Sequence, residues 1–235
     1  MNKQEFYRKE YQRLNPDWQD SLTIYRDNID QFTNSNTKLL DIGCGHGRFL
    51  QPVYEKTIHT YGVDPDQAAL DKNTLIKNKV VAFVEKLPFE NNFFDLIISE
   101  WVLEHLDNPK QAFSEIYRVL KPGGKVIFLT PNVWNYNVWI IRLIPNSLHS
   151  FFTKKLYHRE EGDTYPVRYK INSLNKFNKI LSPLGFKKIN VILNGDPSYI
   201  SFNKPLFIFA CLIEKILNIK ALHFAKVHLI GIYQK

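Results

Sequence analysis

At 235 residues and 44% hydrophobic content, the chain is long enough for one α/β domain with a sizeable core and an accessory segment, which excludes a disordered or fibrous protein. Its two cysteines, Cys44 and Cys211, exclude a disulfide framework, and the polar start Met1-Asn2-Lys3-Gln4-Glu5 is unlike a signal peptide, so a cytoplasmic setting is expected. The formal charge of +8 is uneven: residues 1–149 hold 17 Lys/Arg against 18 Asp/Glu, and residues 150–235 hold 14 against 5, net +9. That basic part would suit an anionic substrate, nucleic acid, an acidic membrane or a merely solvated surface.

In chain order, helices are expected over 3–14 and 16–32, the second opened by Asn15-Pro16 as cap and first turn. A strand over 37–42 follows, then a helix near 46–56, strand 58–63, helix 66–78, strand 79–84 and strand 93–99. Asn108-Pro109 opens a helix to 120, whose apolar face is Ala112, Phe113, Ile116, Tyr117 and Leu120. Pro122-Gly123-Gly124 ends it and starts strand 124–130. Residues 131–172, rich in Asn, Trp, Tyr and Pro, read as an insertion over the C-terminal edge of the sheet. Helix 173–184 ends at Gly185, an αL cap position. Strand 186–193, helix 205–219 and strand 226–233 complete the chain. Strands alternating with helices imply a doubly wound α/β fold, a Rossmann-like parallel sheet covered on both faces. The apolar run Pro205 to Ile213 is far short of the ~20 residues a spanning helix needs. It reads as a core helix or as one lying on a membrane surface.

The most informative stretch is Leu39-Leu40-Asp41-Ile42-Gly43-Cys44-Gly45-His46-Gly47. An apolar strand, a turn with three glycines at alternate positions and a helix start make a nucleotide-type binding corner. The spacing is not G-x-G-x-x-G, since Arg48 stands at its last position, and no G-K-[ST] follows, so a P-loop is excluded. Asp41 would repel a pyrophosphate, and a cationic or neutral ligand fits better. Gly62-Val63-Asp64 ends the next strand, 23 residues after Asp41, where an acid is placed to take two ribose hydroxyls or to cap the helix begun by Pro65-Asp66.

These motifs, with Leu87-Pro88-Phe89-Glu90 and Leu120-Lys121-Pro122-Gly123-Gly124, resemble class I S-adenosylmethionine-dependent methyltransferases. The nearest resemblance is to the small-molecule, quinone-pathway-like branch (methyltransferase type 11), close over residues 37–131 and looser beyond. It implies a single domain over 1–235: N-terminal helices 1–36 over the cofactor site, a cofactor-binding core 37–130, an acceptor cap 131–172 and the C-terminal part of the sheet 173–235, with an antiparallel last strand. It implies S-adenosyl-L-methionine as cofactor, S-adenosyl-L-homocysteine as product, and methyl transfer to a small-molecule acceptor, an oxygen first. RNA or protein methylation and a non-catalytic, membrane-associated member are the alternatives. No appended RNA-binding motif is present, which argues against nucleic acid.

Carried over residue by residue, the resemblance puts Asp41, Gly43, Gly45, Gly47, Asp64, Pro65 and Glu100 at the cofactor, with Glu85, Lys86 and Leu87 flanking the adenine. The family's usual acid before Leu-Pro-Phe is here Phe83, a departure that leaves the adenine contact open. His105, in Ser99-Glu100-Trp101-Val102-Leu103-Glu104-His105, is the candidate general base, since histidine is the side-chain type most often used for that role, or else a structural donor. Trp101, Trp134, Tyr165 and Tyr169 are the candidate acceptor pocket. No histidine or cysteine grouping has metal-ligand spacing.

Overall fold

The computed structural model describes residues 3–45, 48–136 and 166–235. They fall into two compact units. One comprises Leu22–Thr130, Arg168–Ile192 and Ile230–Lys235 and carries most of a seven-stranded sheet; the other comprises Met1–Ser21, Pro131–Val167 and Leu193–Leu229.

The elements in order are α1 (Lys3–Leu14), α2 (Ser21–Asp30), β1 (Leu39–Ile42), α3 (Gln51–Tyr54), β2 (Thr60–Asp64), α4 (Gln67–Lys72), β3 (Asn78–Val81) and β4 (Phe94–Glu100). There follow α5 (Pro109–Val119), β5 (Leu120–Pro131), α6 (Leu174–Leu181), β6 (Lys187–Asn194), α7 (Lys204–Leu217) and β7 (His228–Gln234). The strand order is β3-β2-β1-β4-β5-β7-β6. The pairs from β3 to β5 are parallel, with Leu39 opposite Thr60 on one side and Leu96 on the other. β7 returns antiparallel: Gly123 and Gly124 exchange backbone bonds with Lys235, while Asn132 bonds Val227 at the far end. This is the doubly wound, mostly parallel sheet with an antiparallel last strand that the sequence implies.

Every residue of β1 is buried, as a central parallel strand covered on both faces requires. One face packs Leu39, Leu96, Ile98, Ile127, Leu129, Ile230 and Ile232 against Tyr25 and Ile29 of α2, Val53 and Tyr54 of α3 and Leu70 of α4. The other stacks aromatic rings: Phe128 meets Phe113 of α5, Phe177 of α6 and Tyr233 at 4.9–5.9 Å between centroids.

Several boundaries differ from the sequence reading for identifiable reasons. Asn15 ends α1, its backbone and side-chain nitrogens both donating to the Tyr11 carbonyl, so α2 opens only at Ser21. The indole of Trp18 donates to the Gly195 carbonyl at 3.0 Å and meets Tyr11 edge-on, which holds the intervening segment out of helix. The expected helix 46–56 is a 3-10 turn, Arg48–Leu50, followed by the short α3. α4 stops at Lys72 instead of 78 because Asn73 is drawn into other bonds. α5 buries Ala112, Phe113, Ile116 and Val119, and Leu120 already belongs to β5. Gly185 ends the segment after α6 with φ of 98°, in the left-handed region where glycine is unstrained.

Candidate functional site

From β1 the chain winds through β2 and β3 to one side of the sheet, then crosses to β4 and continues through β5 on the other. The order reverses between β1 and β4. In open α/β sheets ligands bind outside the strand ends at such a point. Here those ends carry the glycine turn, residues 43–45, and the stretch from Glu100 to His105.

The turn is clamped from beneath. Gly43 and Cys44 donate to the Val63 carbonyl, and the Gly45 N–H donates to Asp64 Oδ2 at 3.0 Å. Asn73, fully buried, donates through Nδ2 to the Cys44 and Gly45 carbonyls at 3.3 and 3.0 Å, while its Oδ1 accepts from Leu75 and Ile76. Gly43 sits at φ of 73°, and a Cβ there would come within 2.2 Å of Val102 Cγ2, so no other residue fits. Gly47 lies outside the described residues.

Asp41 is buried directly before this turn, and its Oδ2 accepts from the Tyr54 hydroxyl. Burial pushes its carboxyl up to about 8; the Tyr54 bond opposes this, and the charge of Glu100 adds to it. Glu100, at the end of β4, is likewise pushed up by burial, to about 7, against a hydrogen bond from the Trp101 indole. No cationic side chain among the described residues acts on either acid. The buried Tyr25 hydroxyl lies near both carboxylates and pairs with neither. Two desolvated acids with no counter-charge make a pocket suited to a cation.

Asp64 ends β2. Its Oδ1 accepts from Asp66 N and its Oδ2 from Gly45 N, which leaves each oxygen a further lone pair for a hydroxyl donor. Pro65 beside it is exposed. Ala82 N donates to the Asp64 carbonyl at 3.3 Å, so the loop after β3 adjoins this acid, with Phe83 68% exposed one residue on. Glu85 and Leu87 instead engage α5: Glu85 accepts from Asn108 N and Gln111 Nε2, and Leu87 N donates to Glu115 at 2.9 Å. Lys86 is exposed.

Beyond β4, Trp101 has φ of 54° and Tyr169 φ of 50°, two non-glycine residues in the left-handed region. Such strain persists only where the surroundings over-determine it. Trp101 N is held by the Leu129 carbonyl, and Tyr169 N, with Arg168 N, by the Glu104 carbonyl. Leu103–His105 forms one 3-10 turn, with His105 half-buried and its N–H on the Val102 carbonyl. The Glu104 side chain turns into the core, where Oε2 accepts from Thr130 Oγ1 at 3.0 Å and Asn172 Nδ2 donates to the same hydroxyl at 2.5 Å. Trp134 belongs to the second unit and is about half exposed; Tyr165 lies outside the described residues, as does most of the expected cap 131–172.

Asp41, Gly43, Gly45, Asp64, Glu100 and Trp101 thus gather at the ends of β1, β2 and β4, with His105 and Tyr169 in the adjoining loops. Tyr54, Asn73 and the Glu104–Thr130–Asn172 relay were missed. Tyr54, Asn73 and Thr130 lie inside runs with ordinary helical or strand patterning, Glu104 and Asn172 carry no pattern of their own, and only the fold brings them to the site.

A family model for a methyltransferase domain matches residues 40–128, from β1 into β5. A protein of Methanocaldococcus jannaschii without assigned function is 31% identical over 193 residues, covering 80% of this chain and 83% of its own. The chain belongs to the class I S-adenosylmethionine-dependent methyltransferase family. The ubiquinone biosynthesis O-methyltransferase of Bartonella tribocorum is 25% identical over 178 residues, covering 69% of this chain and 71% of its own. Other relatives are matched over 40% and 50% of their length, so the chain spans half of those proteins or less. The geranyl diphosphate C-methyltransferase of Streptomyces coelicolor A3(2) shares the methyltransferase fold, with a TM-score of 0.60 at 14% identity, covering 90% of this chain and 77% of its own.

Proposed function

We propose that this methyltransferase transfers a methyl group from S-adenosyl-L-methionine to an oxygen of a small-molecule acceptor. The observation that carries the reading is the pair of desolvated carboxylates, buried Asp41 and half-buried Glu100, at the β1/β4 switch point without a cation beside them. When bound, the cofactor supplies a methyl group on a cationic sulfur, open to in-line attack. Asp41 and Glu100 favour its positive charge. Gly43 and Gly45 let the backbone approach it closely, and Asp64 accepts from the ribose hydroxyls. Phe83, next to Ala82, offers an exposed ring to the base in place of the missing acid; Glu85 and Leu87, turned toward α5, shape that loop from behind. Trp101 and Tyr169 offer aromatic surface to an acceptor. His105 is the candidate base for the acceptor hydroxyl.

Support for oxygen and for a small acceptor comes from the aromatic residues around the Trp101 turn and from the O-methyltransferase relative. The test incubates the protein with methyl-labelled S-adenosylmethionine and three acceptor sets: hydroxylated aromatics and sugars, transfer RNA, and protein extract. Label in a methyl ether of a small molecule supports the reading. Label confined to RNA or protein overturns the acceptor class.

A further inference from the structure

The second unit carries a helix whose polarity is reversed. α7 buries Phe207, Ala210, Glu214 and Leu217, so its inward face includes a carboxylate, bonded by the Tyr136 hydroxyl at 3.4 Å. Phe207 points inward and stacks on Tyr7 at 4.8 Å, so the centre of the apolar run is not itself exposed. The outward face is Ile208, Phe209, Leu212 and Ile216, continued by Ile219, each 52–57% exposed. At 3.6 residues per turn Ile208, Phe209, Leu212 and Ile216 lie within roughly 100° of arc, a stripe along the helix, with Ile219 just past its end. Lys204 and Lys215, three turns apart, border one edge, and Lys220 and Lys226 follow. Residues 204–226 hold these four lysines and one acid, the buried Glu214.

We propose that this stripe docks the protein on an anionic lipid surface. Five large apolar side chains in water, lysines at the border and no exposed acid are what an in-plane interfacial helix needs. The charge is complementary to an anionic bilayer and wrong for a second copy, because a pair of such stripes would bring the same lysines together. No helix among the described residues is long and apolar enough to cross a membrane, so the contact is peripheral.

The test is co-sedimentation of the full chain with phosphatidylglycerol/phosphatidylcholine vesicles and with pure phosphatidylcholine vesicles, at low and high salt. Binding to the anionic vesicles, weaker in salt and at least about tenfold weaker in Leu212→Glu/Ile216→Glu, is expected. Lys204→Glu/Lys215→Glu should reduce binding to the anionic vesicles alone. Both pairs are exposed, so circular dichroism should match the parent protein. No vesicle binding, or binding that Leu212→Glu/Ile216→Glu leaves intact, overturns the proposal. So does a dimer in sedimentation velocity that the same variant dissociates, since a second copy then covers the stripe.

Discussion

At the scale of single residues the site is a problem of charge. Asp41 is held at about 8 and Glu100 at about 7, both raised by burial, so the folded protein keeps protons there that the unfolded chain would release above its ordinary carboxylate range. The folded state binds more protons between roughly pH 4 and pH 8, so this contribution to stability is greatest at acid pH and is lost as pH rises through that window. A cationic ligand reverses the preference and favours the ionised acids. Cofactor affinity should therefore increase from about pH 6 to about pH 8 with proton release, measurable by titration calorimetry in buffers of different ionisation enthalpy. Asp41→Asn should flatten this dependence; an unchanged slope would remove Asp41 from the account. Tyr54→Phe deletes the hydroxyl bound to the Asp41 carboxylate and should cost about 1–3 kcal/mol of stability in urea unfolding. Asp41 and Asp64 were legible in the sequence because strand, glycine and acid spacing fix them together. Tyr54 was not, because its ring reads as one more apolar position of a helix.

The elements set the geometry around those charges. The 3-10 turn Leu103–His105 presents His105 while Glu104 anchors it to Thr130 and Asn172 in the core. Thr130→Val would leave Glu104 and Asn172 buried without their shared hydroxyl and should destabilise by about 1–3 kcal/mol. If His105 is the base, His105→Ala lowers turnover by ~10²-fold or more with cofactor affinity nearly intact. A turnover change below threefold would mark it as structural. The strand order and the switch point follow from alternation of apolar runs and glycine turns, which is why they were readable. α4 was overextended by the sequence reading because Asn73 looks like a tolerated helical residue; its buried bonds to the Cys44 and Gly45 carbonyls come from a partner segment 28–29 residues away. The opening of α2 was misplaced for a similar reason: the Asn15-Pro16 signal is real, but Asn15 serves the helix before it.

For the whole molecule, the methyltransferase-domain match, residues 40–128, lies within the sheet unit, and the second unit carries the buried Glu214 and His228 and the exposed α7 stripe. His228 is buried between Ser21 and Tyr199, 2.8 and 2.9 Å from its two ring nitrogens, and burial holds it down to about 4. It stays neutral in the fold while the unfolded histidine charges near 6.5, so its contribution is lost as pH falls from about 6.5 toward 4. His228→Gln should therefore lose less melting temperature than the parent over that acid range. The apolar run Pro205 to Ile213 and the basic charge were readable in the sequence, but His228 has no sequence motif, and a net +9 does not say which lysines border apolar surface.

The central claim is that the β1/β4 switch point holds S-adenosylmethionine. The measurement that tests it most directly is calorimetric titration of the purified chain with S-adenosylmethionine and S-adenosylhomocysteine, beside the Asp64→Ala variant. Micromolar binding of both, weakened by about 1.5–3 kcal/mol in the variant, is the predicted result. Folded protein that binds neither, or a variant that binds both as tightly as the parent, would contradict it.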